Sequence, residues 1–331
     1  MATLKDYILE LLKEQPNLPN DAVAELVRKK FPKANTSAAS VASVKSNARK
    51  TGELVESDFD GGTIAVDDTD VPEDSEETEE EIDARLKRRF DTLDRMTAGV
   101  IKGIMPSLII SGPAGLGKSF PTELALENRV KEDPDFKYDI IKGSISAVGL
   151  YIALYRMSQG GVVIIDDADD VFRDETALNI LKGALDSNGK RVISWRKQAH
   201  WLEEMDIPDR FEFEGQVIFL TNIDFEKMVL KGGSSAPHFK ALMDRSLYLH
   251  LTLRTLKDYM VRIKQVVYGA DMLKKYGLKK DEIKEIIDFV EANRKNFFHL
   301  SLRLIHQIAL CRLADPKNWK DDVQMTKMRA F

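Results

Sequence analysis

Leu108-Ile-Ile-Ser-Gly-Pro-Ala-Gly-Leu-Gly-Lys-Ser119 decides the fold. Three large apolar residues make a short strand, and the chain then enters Gly112-Pro-Ala-Gly-Leu-Gly117-Lys118-Ser119, which matches G-x-x-x-x-G-K-[ST] without a mismatch. A loop that holds polyphosphate turns successive backbone N–H groups inward, so glycine is needed where a side chain would clash or where φ must be positive. In such a loop Lys118 brings its ammonium to the β- and γ-phosphates, and Ser119, opening the next helix, offers a hydroxyl to magnesium. Gly112, Pro113, Ala114, Gly115, Leu116, Gly117, Lys118, Ser119 and Phe120 are thus the expected nucleotide-binding stretch.

Magnesium at that position calls for a carboxylate from a neighbouring strand. Gly161-Val-Val-Ile-Ile165 reads as a strand buried on both faces, and it ends in Asp166-Asp167-Ala168-Asp169. Two acids at a strand end divide into one facing the metal, here Asp166, and one that orients an attacking water, here Asp167.

The order of phosphate loop, Val162-Val-Ile-Ile-Asp-Asp-Ala-Asp-Asp-Val-Phe172 and Gln216-Val-Ile-Phe-Leu-Thr-Asn222 resembles the AAA+ family of ATPases over residues 90–331. The resemblance implies a parallel-sheet α/β core with a C-terminal helical lid, ATP and Mg2+ as cofactors, and assembly into a homo-oligomeric ring or spiral, a hexamer. It gives Asn222 the place of the polar residue that holds water near the γ-phosphate. Arg245, before Ser246-Leu-Tyr-Leu-His-Leu251, takes that of an arginine finger reaching a neighbouring subunit. Arg303, in Ser301-Leu-Arg-Leu304, takes that of the lid arginine that touches nucleotide. Asp167 stands where the family usually has Glu, and its side chain is one methylene shorter, which points toward slow turnover. In ring-forming relatives the connection carrying Trp195, Arg196 and Lys197 faces the central channel and could touch a threaded substrate or DNA, whereas the 17 steps from Gly149 to Asp166 are short for a channel loop followed by a helix and a strand, so Tyr151 is not assigned to such a loop.

Before this core the sequence predicts a helical module. Leu4, Ile8, Leu11 and Leu12 set a first helix, closed by Pro16 and Pro19; Val23, Leu26 and Val27 set a second; and Thr36 or Ser37 caps a third with Ala38, Val41, Val44 and Ala48 inward. The opposite face of the third helix gathers Ser40, Ser43, Asn47 and Lys50 with no carboxylate, the mixture of hydrogen-bonding groups and cations that suits a DNA major groove. With Gly52 as a stop and Asp60-Gly61-Gly62 as a hairpin tip, the segment resembles a small winged helix-turn-helix, the competing reading being a module that docks protein. The expected division is an adaptor at 1–66, a disordered acidic linker at 67–84, the ATPase core at 85–251 and the lid at 252–331.

The net charge of -5 over 331 residues conceals a partition of +4 over residues 1–50, -15 over 51–84 and +6 thereafter. A stretch of that acidity without Lys or Arg repels itself and has little to bury. The single cysteine, Cys311, excludes an intrachain disulfide and a multi-cysteine zinc site and suits a reducing compartment. No apolar run approaches the ~20 residues of a membrane helix, and Lys5, Asp6 and Glu10 interrupt any leader-like stretch, so a cytoplasmic location is expected. The functions open at this point are an ATP-driven remodeller of DNA or a DNA-associated complex, a protein remodeller or unfoldase, and a slowly hydrolysing assembly switch.

Overall fold

The computed structural model describes residues 4–14, 20–31, 36–37, 40–41, 44, 72, 76–186, 189–196, 202 and 204–329. The chain divides into two units, Met1–Thr63 and Ile64–Phe331.

In the first unit, helices α1 (Leu4–Glu14) and α2 (Asn20–Lys30) close on Ile8, Leu9, Leu11, Val23, Ala24, Val27 and Val41. Tyr7 meets Phe31 edge-on at 5.8 Å and carries the Lys30 ammonium 3.8 Å above its ring. Ser37 caps a third helical start, its Oγ accepting from the Ser40 amide at 3.2 Å while the Val41 amide donates to the Ser37 carbonyl. Ser40 is exposed, its hydroxyl 3.1 Å from that of Ser37. Ser43, Asn47, Lys50, the Gly52 stop and the expected hairpin wing lie outside the described residues.

The second unit opens on a helix inside the expected acidic linker. α3 (Glu79–Ile101) starts at Thr78, whose Oγ1 accepts from the Glu81 amide while the Glu81 carboxylate accepts from the Thr78 amide. Disorder through residue 84 is therefore corrected: the chain is helical from Glu79. Glu79, Glu80 and Glu81 are exposed in the first turn, where the positive end of the helix dipole offsets their mutual repulsion. Glu77 binds Arg85 through both carboxylate oxygens, and Arg85 in turn reaches the wholly buried Asp258 at 3.0 Å. The same helix buries Ile82, Leu86, Phe90, Leu93, Val100 and Ile101 on one face.

The chain continues through β1 (Ser107–Ser111), α4 (Ser119–Glu132), β2 (Tyr138–Lys142), α5 (Ala147–Arg156) and β3 (Val162–Asp166). After a short 3-10 turn come α6 (Glu175–Ala184), the small antiparallel pair β4 (Val192–Ser194) and β5 (Arg210–Glu212), and β6 (Gln216–Thr221). Helices α7 (Phe225–Lys231) and α8 (Ala236–Arg245) precede β7 (Leu247–His250). Five strands form one parallel sheet in the order β2-β3-β6-β1-β7, so the two acid- and loop-bearing strands, β3 and β1, flank β6. Parallel central strands covered on both faces need apolar residues at every position, and Leu108, Ile109, Ile110, Val162, Val163, Ile164 and Ile165 are all buried. Leu108, Ile110, Ile164 and Leu220 join the core shared with α3 and the lid. Phe219 belongs to a ring cluster with Phe172, which also meets Phe225 and Phe239.

The lid consists of α9 (Leu256–Lys264), a π-helical turn at Gln265–Gly269, and α10 (Lys280–Ala292), α11 (Leu302–Ala314) and α12 (Trp319–Lys327). Of the apolar residues at helical spacing in the lid, Tyr259, Met260, Ile263, Val267, Ile286, Ile287, Val290, Leu300, Leu304 and Ile308 are buried, Leu256 and Ile283 are half-buried, and Leu313 is exposed. The architecture is the parallel α/β phosphate-loop core with helical lid that the sequence implied. No helix among the described residues is long and apolar enough to cross a membrane.

Candidate functional site

The phosphate loop runs from the end of β1 into the first turn of α4, and its glycines are required by space as well as by backbone angle. A Cβ at Gly115, where φ is +73°, would lie 2.7 Å from the Ser301 Cβ, and one at Gly117, at φ +86°, 3.2 Å from a Leu302 methyl. The lid helix thus begins directly on the loop: the Leu302 amide donates to the Gly115 carbonyl at 2.9 Å, and a His299 ring nitrogen lies 3.3 Å from the Ala114 carbonyl oxygen. Burial pushes His299 down from its ordinary pKa, against this bond, which pulls the other way.

Lys118 is buried, and its ammonium donates to the carbonyls of Gly112 and Pro113 and to Asn222 Oδ1 at 2.7 Å. Burial drives its pKa down to about 8, opposed by the nearby charges of Asp167, Asp169 and Asp166. Three acceptors around one desolvated ammonium hold that cation in the mouth of the loop, where a phosphate would offer stronger, charged acceptors.

Beside it, Ser119 Oγ donates to Asp166 Oδ1 at 3.2 Å. These two oxygens are a donor set suited to a hard, octahedral cation such as Mg2+, which binds through one or two protein oxygens and is completed by water and phosphate. Among the described residues no group of three or more His, Cys, Asp or Glu side chains could hold a metal ion. The exposed Lys142 ammonium, at the matched position of β2, stands 3.5 Å from Asp166 Oδ2 and 3.2 Å from Glu123 Oε1.

Asp167 adopts φ +56°, a left-handed conformation that costs a non-glycine residue on the order of 1–3 kcal/mol. It is held there at both ends, by its amide donating to the Leu220 carbonyl at 3.0 Å and by its Oδ1 accepting from Asn222 Nδ2 at 2.6 Å. A continuous path therefore runs from Lys118 through Asn222 to Asp167. Behind it Thr221 donates to Asp169 Oδ1 at 2.5 Å. Burial raises the Asp169 pKa against that bond, and the charge of Asp167 adds to the rise. The sequence did not single out Asp169, although its place three residues after the metal-side acid was a usable signal.

Lys118, Ser119, Asp166, Asp167 and Asn222 line one cavity of about 1080 Å³. Gly115, Gly117, Phe120 and, from the lid, the exposed Arg303 line the same cavity. Arg303 forms no ion pair among the described residues. Arg245 is not part of this cavity: it ends α8, with its carbonyl 3.5 Å from Ser107 Oγ at the opposite end of β1 from the loop. Its side chain donates to the Ala241 carbonyl at 3.1 Å, and its buried Nε has no acceptor among the described residues.

Tyr151 is buried in α5, donates to the Pro208 carbonyl at 2.8 Å, and packs edge-on against Trp195 at 5.6 Å and Phe211 at 5.1 Å. Trp195 is half-buried against this cluster, Arg196 pairs with Asp209 at 3.1 Å, and Lys197 lies outside the described residues. Sequence reasoning also passed over two residues of the cleft wall, Phe90 and Arg262.

No protein-family model matches the chain. Over 249 residues it is 35% identical to the uncharacterized 36.7 kDa protein of the nrdC-mobD intergenic region of Enterobacteria phage T4, a match spanning 75% of this chain and 76% of that protein. Among solved structures, NtrX from Brucella abortus in complex with ADP aligns at TM-score 0.41 and 15% identity, over 95% of this chain and 68% of that one. Rhizobiales Trip13 aligns at TM-score 0.37 and 13% identity, over 75% and 96% respectively. PCH-2 from C. elegans aligns at TM-score 0.35 and 13% identity, over 78% and 69%. On the extent and identity of the phage T4 match, the chain belongs to the family of that 36.7 kDa protein.

Proposed function

We propose that the chain is a Mg2+-dependent AAA+ ATPase that couples ATP binding and hydrolysis to remodelling of DNA or of a DNA-associated protein complex. The observation that carries the enzymatic part is the path from the Lys118 ammonium through the Asn222 amide to the Asp167 carboxylate, with the Ser119–Asp166 oxygen pair beside it.

Each side chain then has a task. The loop amides and Lys118 hold the polyphosphate, with Lys118 exchanging its carbonyl acceptors for phosphate oxygens. Ser119 and Asp166 would hold Mg2+, which would supply positive charge to the bound polyphosphate. Asp167 accepts a hydrogen bond from the attacking water, and Asn222 fixes the orientation of that carboxylate. Arg245, too distant to serve its own cavity, acts on the nucleotide of a neighbouring subunit in a ring or spiral, a hexamer. Arg303 carries the state of the nucleotide to the lid, whose helix α11 starts on the phosphate loop.

The DNA assignment is favoured by the carboxylate-free face of the third N-terminal helix, to which the exposed Ser40 belongs. A protein-remodelling role with the same module gripping a partner, and a slow assembly switch suggested by Asp rather than Glu at 167, are the competing readings. Affinity of the full chain for duplex DNA at two salt concentrations, with ATPase rate measured with and without DNA, separates them. Salt-dependent binding with stimulated turnover is expected. Absence of both sinks the DNA role in favour of a protein partner, and turnover too slow to stimulate favours the switch.

A further inference from the structure

We propose that Arg262 is a second lid cation that binds the polyphosphate of the nucleotide, in addition to Arg303. The proposal rests on the nucleotide reading of the cleft and extends it to a residue that neither the phosphate loop nor the AAA+ resemblance brought forward.

Arg262 lies in the last turn of α9 and lines the cleft beside the loop. Its guanidinium stacks on the buried Phe90 of α3, with 3.2 Å from its central carbon to the ring centroid, so its flat face is spent on the core while its edge of N–H donors remains. That edge is poorly supplied within the protein. Nη1 donates to Gln265 Oε1 at 3.3 Å, and the buried Nε has no acceptor among the described residues. Asp94 of α3 attracts it electrostatically, but no carboxylate lies within ion-pair distance among the described residues. A desolvated guanidinium short of acceptors costs free energy unless something brings them.

What can bring them is set by position. Nη2 is 4.0 Å from the point where a Cβ of Gly117 would stand, so the fork lies next to the last glycine of the phosphate loop. Glycine there leaves room between loop and guanidinium for a ligand rather than a side chain. Planar, permanently charged N–H donors at that spot match phosphate oxygens. The backbone is also unusual here: the chain leaves α9 through the π-helical turn Gln265–Gly269, whose Gln265, Val266, Tyr268 and Gly269 line the same cleft. Single π turns concentrate where a helix has been adjusted for function. Arg262 therefore joins three parts, the α3 wall, the lid and the loop, at the place where the diphosphate enters.

The test is a titration of the full chain with adenosine, ADP and a non-hydrolysable ATP analogue, using wild type, Arg262→Met, Arg262→Lys and Lys118→Ala. Met keeps an unbranched stem against Phe90, and Lys keeps the charge without the planar fork. Arg262→Met is expected to weaken ADP and the ATP analogue about tenfold or more, the loss of a charge-assisted hydrogen bond, and to leave adenosine unchanged. Arg262→Lys should recover part of the loss. Equal weakening of adenosine and ADP, or no weakening of either, overturns the proposal while a Lys118-dependent ADP affinity leaves the nucleotide site standing. If wild type binds neither ADP nor the ATP analogue, or if Lys118→Ala binds them unchanged, the nucleotide reading fails and the proposal fails with it.

Discussion

Lys118 carries two opposed demands, since burial favours its neutral form and a phosphate ligand needs its charge. With the folded pKa lowered from 10.5 to about 8, folded and unfolded states are both protonated below about pH 8, and the burial cost is constant there. Between that value and 10.5 the unfolded chain holds the extra proton, so the stability of the free protein rises with pH. Nucleotide affinity runs the other way. It is expected to fall as pH rises through about 8, with proton uptake on binding visible when calorimetry is repeated in buffers of different ionisation enthalpy. An affinity constant between about pH 7 and 9.5 contradicts this account of Lys118. At this scale the sequence was informative wherever neighbours in the chain are neighbours in the site. Gly112 to Ser119 and the Asp166–Asp167 pair could be read directly because a strand end fixes both residues at once. Arg262 could not, because its partners, Phe90 of α3 and Gly117 of the loop, are far from it in sequence.

Among the elements, α3 departs most from the sequence reading. Its apolar positions Ile82, Leu86, Phe90 and Leu93 follow helical spacing, but Lys87, Arg88, Arg89, Asp91 and Asp94 fill the gaps, and the acidic approach read as a linker. Its start is set locally by the Thr78–Glu81 capping box, a signal hidden in the acidic run, and also by a tertiary bridge from Glu77 through Arg85 to Asp258, which no local pattern encodes. Asp258 also accepts from the Arg254 amide and from Thr255 at the first turn of α9, so one wholly buried carboxylate ties α3 to the lid. Asp258→Ala leaves Arg85 partly desolvated without that partner, and an unfolding cost of about 3–5 kcal/mol is expected from urea titration. A cost below about 1 kcal/mol would mean that Glu77 alone satisfies Arg85. The lid stripe was legible over α9 to α11, although Leu256 and Ile283 obey the spacing and are only half-buried, and Leu313 obeys it and is exposed.

For the whole molecule, the order of three short motifs carried the resemblance that implies sheet, lid and ring alike; the sheet and lid are seen in the single chain, while the ring is a proposal, because the residue that would bridge subunits is recognised only by what a second copy presents to it. Arg245 lies at the far end of β1 from the cavity, so its variant should keep nucleotide binding and lose hydrolysis. Mixing Arg245→Ala with Lys118→Ala subunits should then restore turnover by pairing an intact site with an intact arginine, and failure to restore activity at any ratio removes the trans role. The charge partition now has a sharper form: within the -15 segment, residues from Glu79 onward belong to α3 and therefore to the core-and-lid unit. All of these expectations stand on one claim, that the loop ending in Lys118 and Ser119 feeds ATP to Asp167. The most direct measurement is steady-state phosphate release from ATP and Mg2+ by the wild-type chain and by Lys118→Ala. The account predicts measurable turnover in the first and none in the second; equal rates in the two proteins would contradict it.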